Sequence, residues 1–221
     1  MAEWVELARR VQNELREQVI PEVPAGFAPR LLAGADLSME RGSDRGYAAI
    51  VVLDAATLNS ADQASAVSQL PFPYVPGFLS FRELPAITAV WQQLKHKPDV
   101  LIFDGQGYAH PRRFGIACHG GLVLGVPSVG CAKSLLVGRH GPLGEERGST
   151  AEIVHRGELV GMAVRTRDRT NPLYVSVGHH MDLTTAVGLV LKVCPRFREP
   201  ETTRRAHRLV NELRRADHGA S

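Results

Sequence analysis

Residues 100–115 read Val-Leu-Ile-Phe-Asp104-Gly105-Gln-Gly107-Tyr-Ala-His110-Pro-Arg112-Arg113-Phe-Gly115. Four apolar residues in a row predict a strand buried on both faces. A carboxylate at the carboxyl end of such a strand sits where open α/β sheets place ligands. The glycines let a backbone approach closely, and the arginines suit an anionic ligand such as phosphate. A carboxylate beside a phosphate implies a divalent cation between them. The same letters also spell an ordinary turn after a strand, so this segment alone leaves both readings open.

Two further carboxylates weigh toward the first reading. Asp36 interrupts the apolar strand Leu-Leu-Ala-Gly-Ala-Asp36-Leu-Ser, where a charge is costly unless paired or metal-bound. Glu83 opens a helix in Leu79-Ser80-Phe81-Arg82-Glu83-Leu84, a place the helix dipole also favours on its own account. Lys133 follows the next strand in Gly130-Cys-Ala-Lys133-Ser134. An ammonium there can bind a phosphate oxygen or offset developing charge, although spacing alone favours an exposed strand-end lysine. Three converging carboxylates with one or two metals suit in-line attack of water on a phosphodiester.

The elements that must hold these groups follow from periodicity. Residues 3–19 form an amphipathic helix, and Pro21, Pro24 and Pro29 make an extended linker after it. Strands at 31–37, 47–53 and 64–70 form an antiparallel meander. Three prolines keep residues 71–78 out of any helix. A helix at 84–94, a strand at 99–104, a helix at 114–124 and a strand at 126–132 follow. Residues 151–166 and 172–177 supply two or three more strands, and helices near 182–192 and 200–215 close the chain. Antiparallel strands followed by β-α-β-α predict an α/β single domain with one mixed sheet flanked by helices. Asp54, at the end of the second strand, is explained by its turn.

Composition narrows the class. The 221 residues are 44% hydrophobic and 22% charged, which marks a globular chain. A net charge of +3 permits a nucleic-acid partner without demanding one. Between Pro195 and Arg215 lie seven arginines and three glutamates, either a face for a phosphate backbone or a solvated helix surface. Cys118, Cys131 and Cys194 are widely spaced without zinc-ligand spacing, so reduced thiols and a cytoplasmic protein are expected. The first residues lack the pattern of a signal peptide, and no apolar run is long enough to span a membrane.

Four segments carry a resemblance to the endonuclease V family over nearly the whole chain: Gly-Ala-Asp36-Leu-Ser, Pro73-Tyr74-Val75-Pro76-Gly77-Phe78-Leu79-Ser80-Phe81-Arg82-Glu83, Asp104-Gly-Gln-Gly-Tyr-Ala-His110-Pro-Arg112 and Gly130-Cys-Ala-Lys133-Ser. The resemblance implies an RNase H-like fold with a mixed five-stranded sheet, an N-terminal helix over 1–20 and a catalytic core over 31–215. It implies that Asp36, Glu83 and Asp104 hold Mg²⁺, with Lys133 near the scissile phosphate. Pro73, Tyr74, Val75 and Pro76 match a wedge that parts the strands at a lesion, for which a proline-flanked aromatic is suited. Leu79, Gly105, Ile116, Gly130 and Leu136 match the pocket for the flipped hypoxanthine. His110 falls near substrate, and His207 matches a late position that binds a second metal directly or through water. His119 and the pair His179-His180 lie in similar contexts without an assigned role. The implied activity is Mg²⁺-dependent nicking of inosine-containing DNA by a monomer, at the second phosphodiester 3′ to the lesion, leaving 3′-hydroxyl and 5′-phosphate. An inosine-specific ribonuclease of the same family and a catalytically silent nucleic-acid-binding protein are the alternatives.

Overall fold

Alternation along the central strands puts a core on each face of one sheet. The computed structural model describes residues 2–40 and 43–219. In chain order its elements are α1 (Ala2–Leu15), β1 (Leu31–Met39), β2 (Arg45–Asp54), β3 (Ser60–Gln69), α2 (Leu79–Gln93), β4 (Val100–Phe103), α3 (Ile116–Leu124), β5 (Ser128–Ala132), β6 (Arg139–His140), β7 (Thr150–His155), β8 (Glu158–Val164), β9 (Leu173–Val177), α4 (Leu183–Lys192) and α5 (Glu201–Gly219). A short 3₁₀ turn, Arg16–Gln18, follows α1. Even-numbered Ala48, Ile50 and Val52 of β2 pack with Leu84, Ile87 and Val90 of α2 and with Ala117 of α3. Odd-numbered Tyr47, Ala49, Val51 and Leu53 pack on the other face against Ala206 and Val210 of α5.

The strands form one mixed sheet in the order β3-β2-β1-β4-β5-β9-β8-β7-β6. Among the described residues, the β1–β4 and β4–β5 pairs alone are parallel. The sheet therefore has nine strands rather than the five that the resemblance implies. The first five in that order make the central body, and β9 pairs antiparallel with β5 and extends it through β8, β7 and β6. Arg156 and Gly157, both with positive φ, close the β7–β8 hairpin between the paired His155 and Glu158, as a two-residue turn of the primed type requires. Strand β6 is two residues long and leaves no periodic signal in sequence.

Helix α2 differs from expectation in a way that matters. It begins at Leu79, not near Leu84, and contains Pro85. The proline removes one backbone donor in the second turn without ending the helix. Glu83 is thus one turn inside the helix rather than at its start. On the other side of the sheet, Gly34 of β1 lies against the backbone of Thr202 and Thr203, where any Cβ would fall within 2.7 Å of Thr202 O. That close approach seats the start of α5 beside β1. All three cysteines are buried and unbridged. Among the described residues no helix is long and apolar enough to cross a membrane.

Candidate active site

The parallel register of β1 and β4 brings the first two carboxylates together. Ala35 is paired with Phe103, so Asp36 and Asp104 each follow directly at the same end of the sheet. β5 is registered alongside, Phe103 with Gly130, and Lys133 leaves its end. Glu83 comes down from α2. The three carboxylates line one cavity of about 200 Å³, with Ile87 and Ile116 among its apolar walls.

Two of the three are paired with nitrogen-bearing side chains. Lys133 Nζ lies 2.7 Å from Asp104 Oδ2 and 3.1 Å from Glu199 Oε2. Burial lowers the Lys133 pKa, but Asp104 and then Glu199 outweigh it, so the net shift is upward. His207 Nδ1, from α5, lies 2.9 Å from Asp36 Oδ2. Burial raises the Asp36 pKa more than His207 lowers it. Glu83 is pushed up to about 8, first by burial and then by the charges of Asp36 and Asp104. Glu83 inside α2 is therefore not a dipole-stabilised helix-start residue; burial and the two aspartates disfavour its charged form.

Among the described residues no group of three or more His, Cys, Asp or Glu side chains stands ready-made as a cage for an ion. The donor set nevertheless fits one chemistry. Asp36, Glu83 and Asp104 offer hard oxygen ligands around one polar cavity, and the Glu83 pKa is raised there first by burial and then by the charges of Asp36 and Asp104. Oxygen donors of this kind are the type that a hard divalent cation takes.

A second, more apolar cavity of about 290 Å³ adjoins the first and shares Asp104 and Ile116 with it. Tyr74, Val75 and Pro76 form one rim, with Leu79, Gly105, His110, Ile116, Lys133 and Leu136 also lining it. Pro73 lies outside the lining, at the start of that rim segment. Tyr74 is 65% exposed, while Phe72 and Phe78 on either side are buried and anchor the segment. Tyr74 is thus free to meet a ligand rather than folded onto the core. Gly130 does not line the cavity. It is buried behind residues 105–107, and a Cβ there would lie 2.9 Å from Gly105 O. Its place is to let that loop rest on β5.

The histidines separate by environment. His110 is 3% exposed, accepts from Arg112 N at 3.2 Å through Nδ1 and faces Gly77 O at 3.0 Å through Nε2. That pattern makes it a neutral Nε2–H donor. Burial, followed by the Arg112 charge, pushes its pKa down to about 4. His119 is packed against Phe81 and Phe114 and bonded to Ser80 Oγ at 3.0 Å. His179 accepts from Ile20 N. Asp54 accepts from Ala56 and Thr57 in its own turn. Sequence reasoning missed Gln12, Gln106 and Ser134 in the larger cavity and Glu199 beside Lys133. Gln12 left one trace, a polar residue on the apolar stripe of α1.

Comparison with known proteins identifies the family. Residues 13–208 match the family model for Endonuclease V. Endonuclease V of Myxococcus xanthus is 65% identical over 216 residues, 98% of this chain and 90% of the relative. The crystal structure of Endonuclease V from Streptomyces avermitilis superposes with a TM-score of 0.91 at 42% identity, covering 96% of this chain and 94% of that one. A crystal structure of Ciona intestinalis Endonuclease V, in complex with a 24mer DNA containing an inosine followed by a ribo-adenosine, shares the fold with a TM-score of 0.85 at 24% identity, over 97% and 99% of the two chains. A carboxylate cluster at the ends of two parallel strands, the Tyr74 rim and a family match across most of the sequence thus converge, and the chain belongs to the Endonuclease V family.

Proposed function

We propose that this protein is a deaminated-base repair endonuclease that nicks inosine-containing DNA at the second phosphodiester 3′ to the lesion. The observation that carries the proposal is the placement of Asp36, Glu83 and Asp104 around one cavity that opens beside an apolar pocket rimmed by exposed Tyr74. Phosphodiester chemistry and base recognition are thereby adjacent, as a nick near a flipped base requires. Family membership supports the same reading.

Asp36, Glu83 and Asp104 would hold Mg²⁺, with His207 available beside Asp36 for a second ion. Bound there, the cation supplies Lewis acidity for in-line attack of water on phosphorus. The attack forms a new P–O bond and breaks the bond from phosphorus to O3′, which leaves as the 3′-hydroxyl after taking a proton; the phosphate stays on the 5′ end. Lys133, fixed between Asp104 and Glu199, is placed to bind a non-bridging phosphate oxygen and offset the charge that builds on it. Tyr74 stacks in the gap left by the extruded base, and Leu79, Gly105, Ile116 and Leu136 enclose that base. The protein acts as a cytoplasmic monomer, and inosine-containing RNA is the alternative substrate. Asp36→Ala, Glu83→Ala and Asp104→Ala each test the cluster: cleavage across a Mg²⁺ titration should be lost in all three while the proteins stay folded. A near-normal rate for Asp104→Ala at saturating Mg²⁺ would contradict it.

A further inference from the structure

Helix α1 carries one polar side chain on the stripe that it buries. Ala8 of that stripe packs with Phe72 and Phe78, and Gln12, one turn later, is 1% exposed. A buried amide is costly unless its donors and its acceptor are used. Gln12 uses both: Nε2 donates to Gly77 O at 3.0 Å and to Phe114 O at 3.1 Å, and Oε1 accepts from Nε of Arg112.

Those bonds reach two separate walls of the larger cavity. Gly77, with φ of +80°, turns the Tyr74 segment into α2. Its carbonyl also accepts from Arg112 Nη2 at 2.6 Å and His110 Nε2 at 3.0 Å. Phe114 directly precedes Gly115 and Ile116, which line the cavity as well. One side chain therefore ties the rim to the wall carrying Ile116, and it does so without lining the carboxylate cavity.

We infer that Gln12 is a positioning residue that fixes the spacing between the Tyr74 rim and the Ile116 wall, and so sets how well the site separates a lesion base from an ordinary one. The inference rests on the function proposed above. It makes α1 part of the recognition site rather than an appendage ahead of the catalytic core. It also places the effect on lesion binding and not on the chemical step.

Two variants test it. Gln12→Met keeps the length and packing but deletes all three hydrogen bonds, and Gln12→Glu keeps the acceptor for Arg112 while setting oxygen against the two carbonyls. Both should lower the preference for an inosine duplex over an undamaged duplex by about tenfold to a hundredfold, the scale of a small misplacement at a site. The loss should fall in KM, with kcat at saturating substrate and affinity for undamaged duplex largely kept. Hydrogen exchange should quicken in residues 72–78 and 110–115 of Gln12→Met. Wild-type KM and selectivity in the folded variants would overturn the inference. So would a loss that only follows the loss of folded protein. If the wild-type protein fails to cleave inosine DNA, the proposed function falls by itself. The exchange measurement then decides the tether: faster exchange upholds it, and unchanged exchange in both segments removes it.

Discussion

Replacing Lys133 by alanine separates catalysis from folding in a way the structure lets us size. The ammonium makes two ion pairs, at 2.7 Å to Asp104 and 3.1 Å to Glu199, and the three side chains are 43%, 25% and 36% exposed. Pairs this open to water are worth about 0–1 kcal/mol each. Losing both should cost at most about 2 kcal/mol, or roughly 4–8 °C in Tm for a chain of this size. A preorganised cation facing a reacting phosphate contributes more, because its charge acts where negative charge develops; removing such a donor typically costs about 100- to 1,000-fold in kcat. Lys133→Ala should therefore lose cleavage far out of proportion to stability. Single-turnover cleavage of an end-labelled inosine duplex at 25 °C and a thermal melt on the same preparation measure both. Lys133→Arg should recover only part of the rate, since a planar guanidinium does not reproduce a compact ammonium. Cleavage by Lys133→Ala close to the wild-type rate would refute the role given to this lysine. A collapse of the melt that accounts for the whole activity loss would refute it equally.

Tyr74→Ala should weaken binding to an inosine duplex by about 1–3 kcal/mol, the value of one base stacked on an aromatic ring, and leave binding to undamaged duplex nearly unchanged; equal losses on both would reduce Tyr74 to a general contact. His110 and His119 are buried neutral, each with its pKa pushed down to about 4 from 6.5 by burial. Their contribution is full above pH 6.5 and is lost as pH falls from 6.5 toward 4, where the unfolded chain binds the protons first, at roughly 3 kcal/mol for each at pH 4. Urea melts across that range should show the slope, and a His119→Gln variant that melts with the same slope as the wild type would count against it. Gly130→Ala should press its methyl on the backbone of residues 105–107, lowering Tm and inosine cleavage together by an overpacking cost of about 1–3 kcal/mol; a variant that melts normally yet rejects inosine would return Gly130 to the pocket.

Asp36 and Asp104 could be read from sequence because each breaks a rule of its surroundings: a charge within or directly after an apolar strand needs a partner. The parallel β1–β4 pairing that puts them side by side joins strands separated by β2, β3 and α2, so local order does not announce it. The setting of Glu83 was misread: the expected helix starts at 84 with Glu83 at its opening, whereas α2 starts at Leu79 and holds Glu83 a full turn inside. The Asp36–His207 pair joins residues 171 positions apart, and no local period announces it. The count of five came from the resemblance; the residue pattern itself puts two or three further strands at 151–166 and 172–177, where β7, β8 and β9 lie, while β6 is too short to show alternation. Gly130 matched the pocket by position, yet only the packing of residues 105–107 shows what its missing side chain is for. Gln12 and Glu199 depend on contacts between distant segments, which spacing along one segment does not encode.

The most direct test of the central claim is cleavage of matched duplexes, one with a single deoxyinosine and one without, by purified protein in Mg²⁺ and in EDTA, with the product ends mapped. The account predicts one nick, at the second phosphodiester 3′ to the inosine, with 3′-hydroxyl and 5′-phosphate ends and the base still attached, and no product in EDTA. A released base, cleavage without regard to the lesion, or equal cutting in EDTA would contradict it.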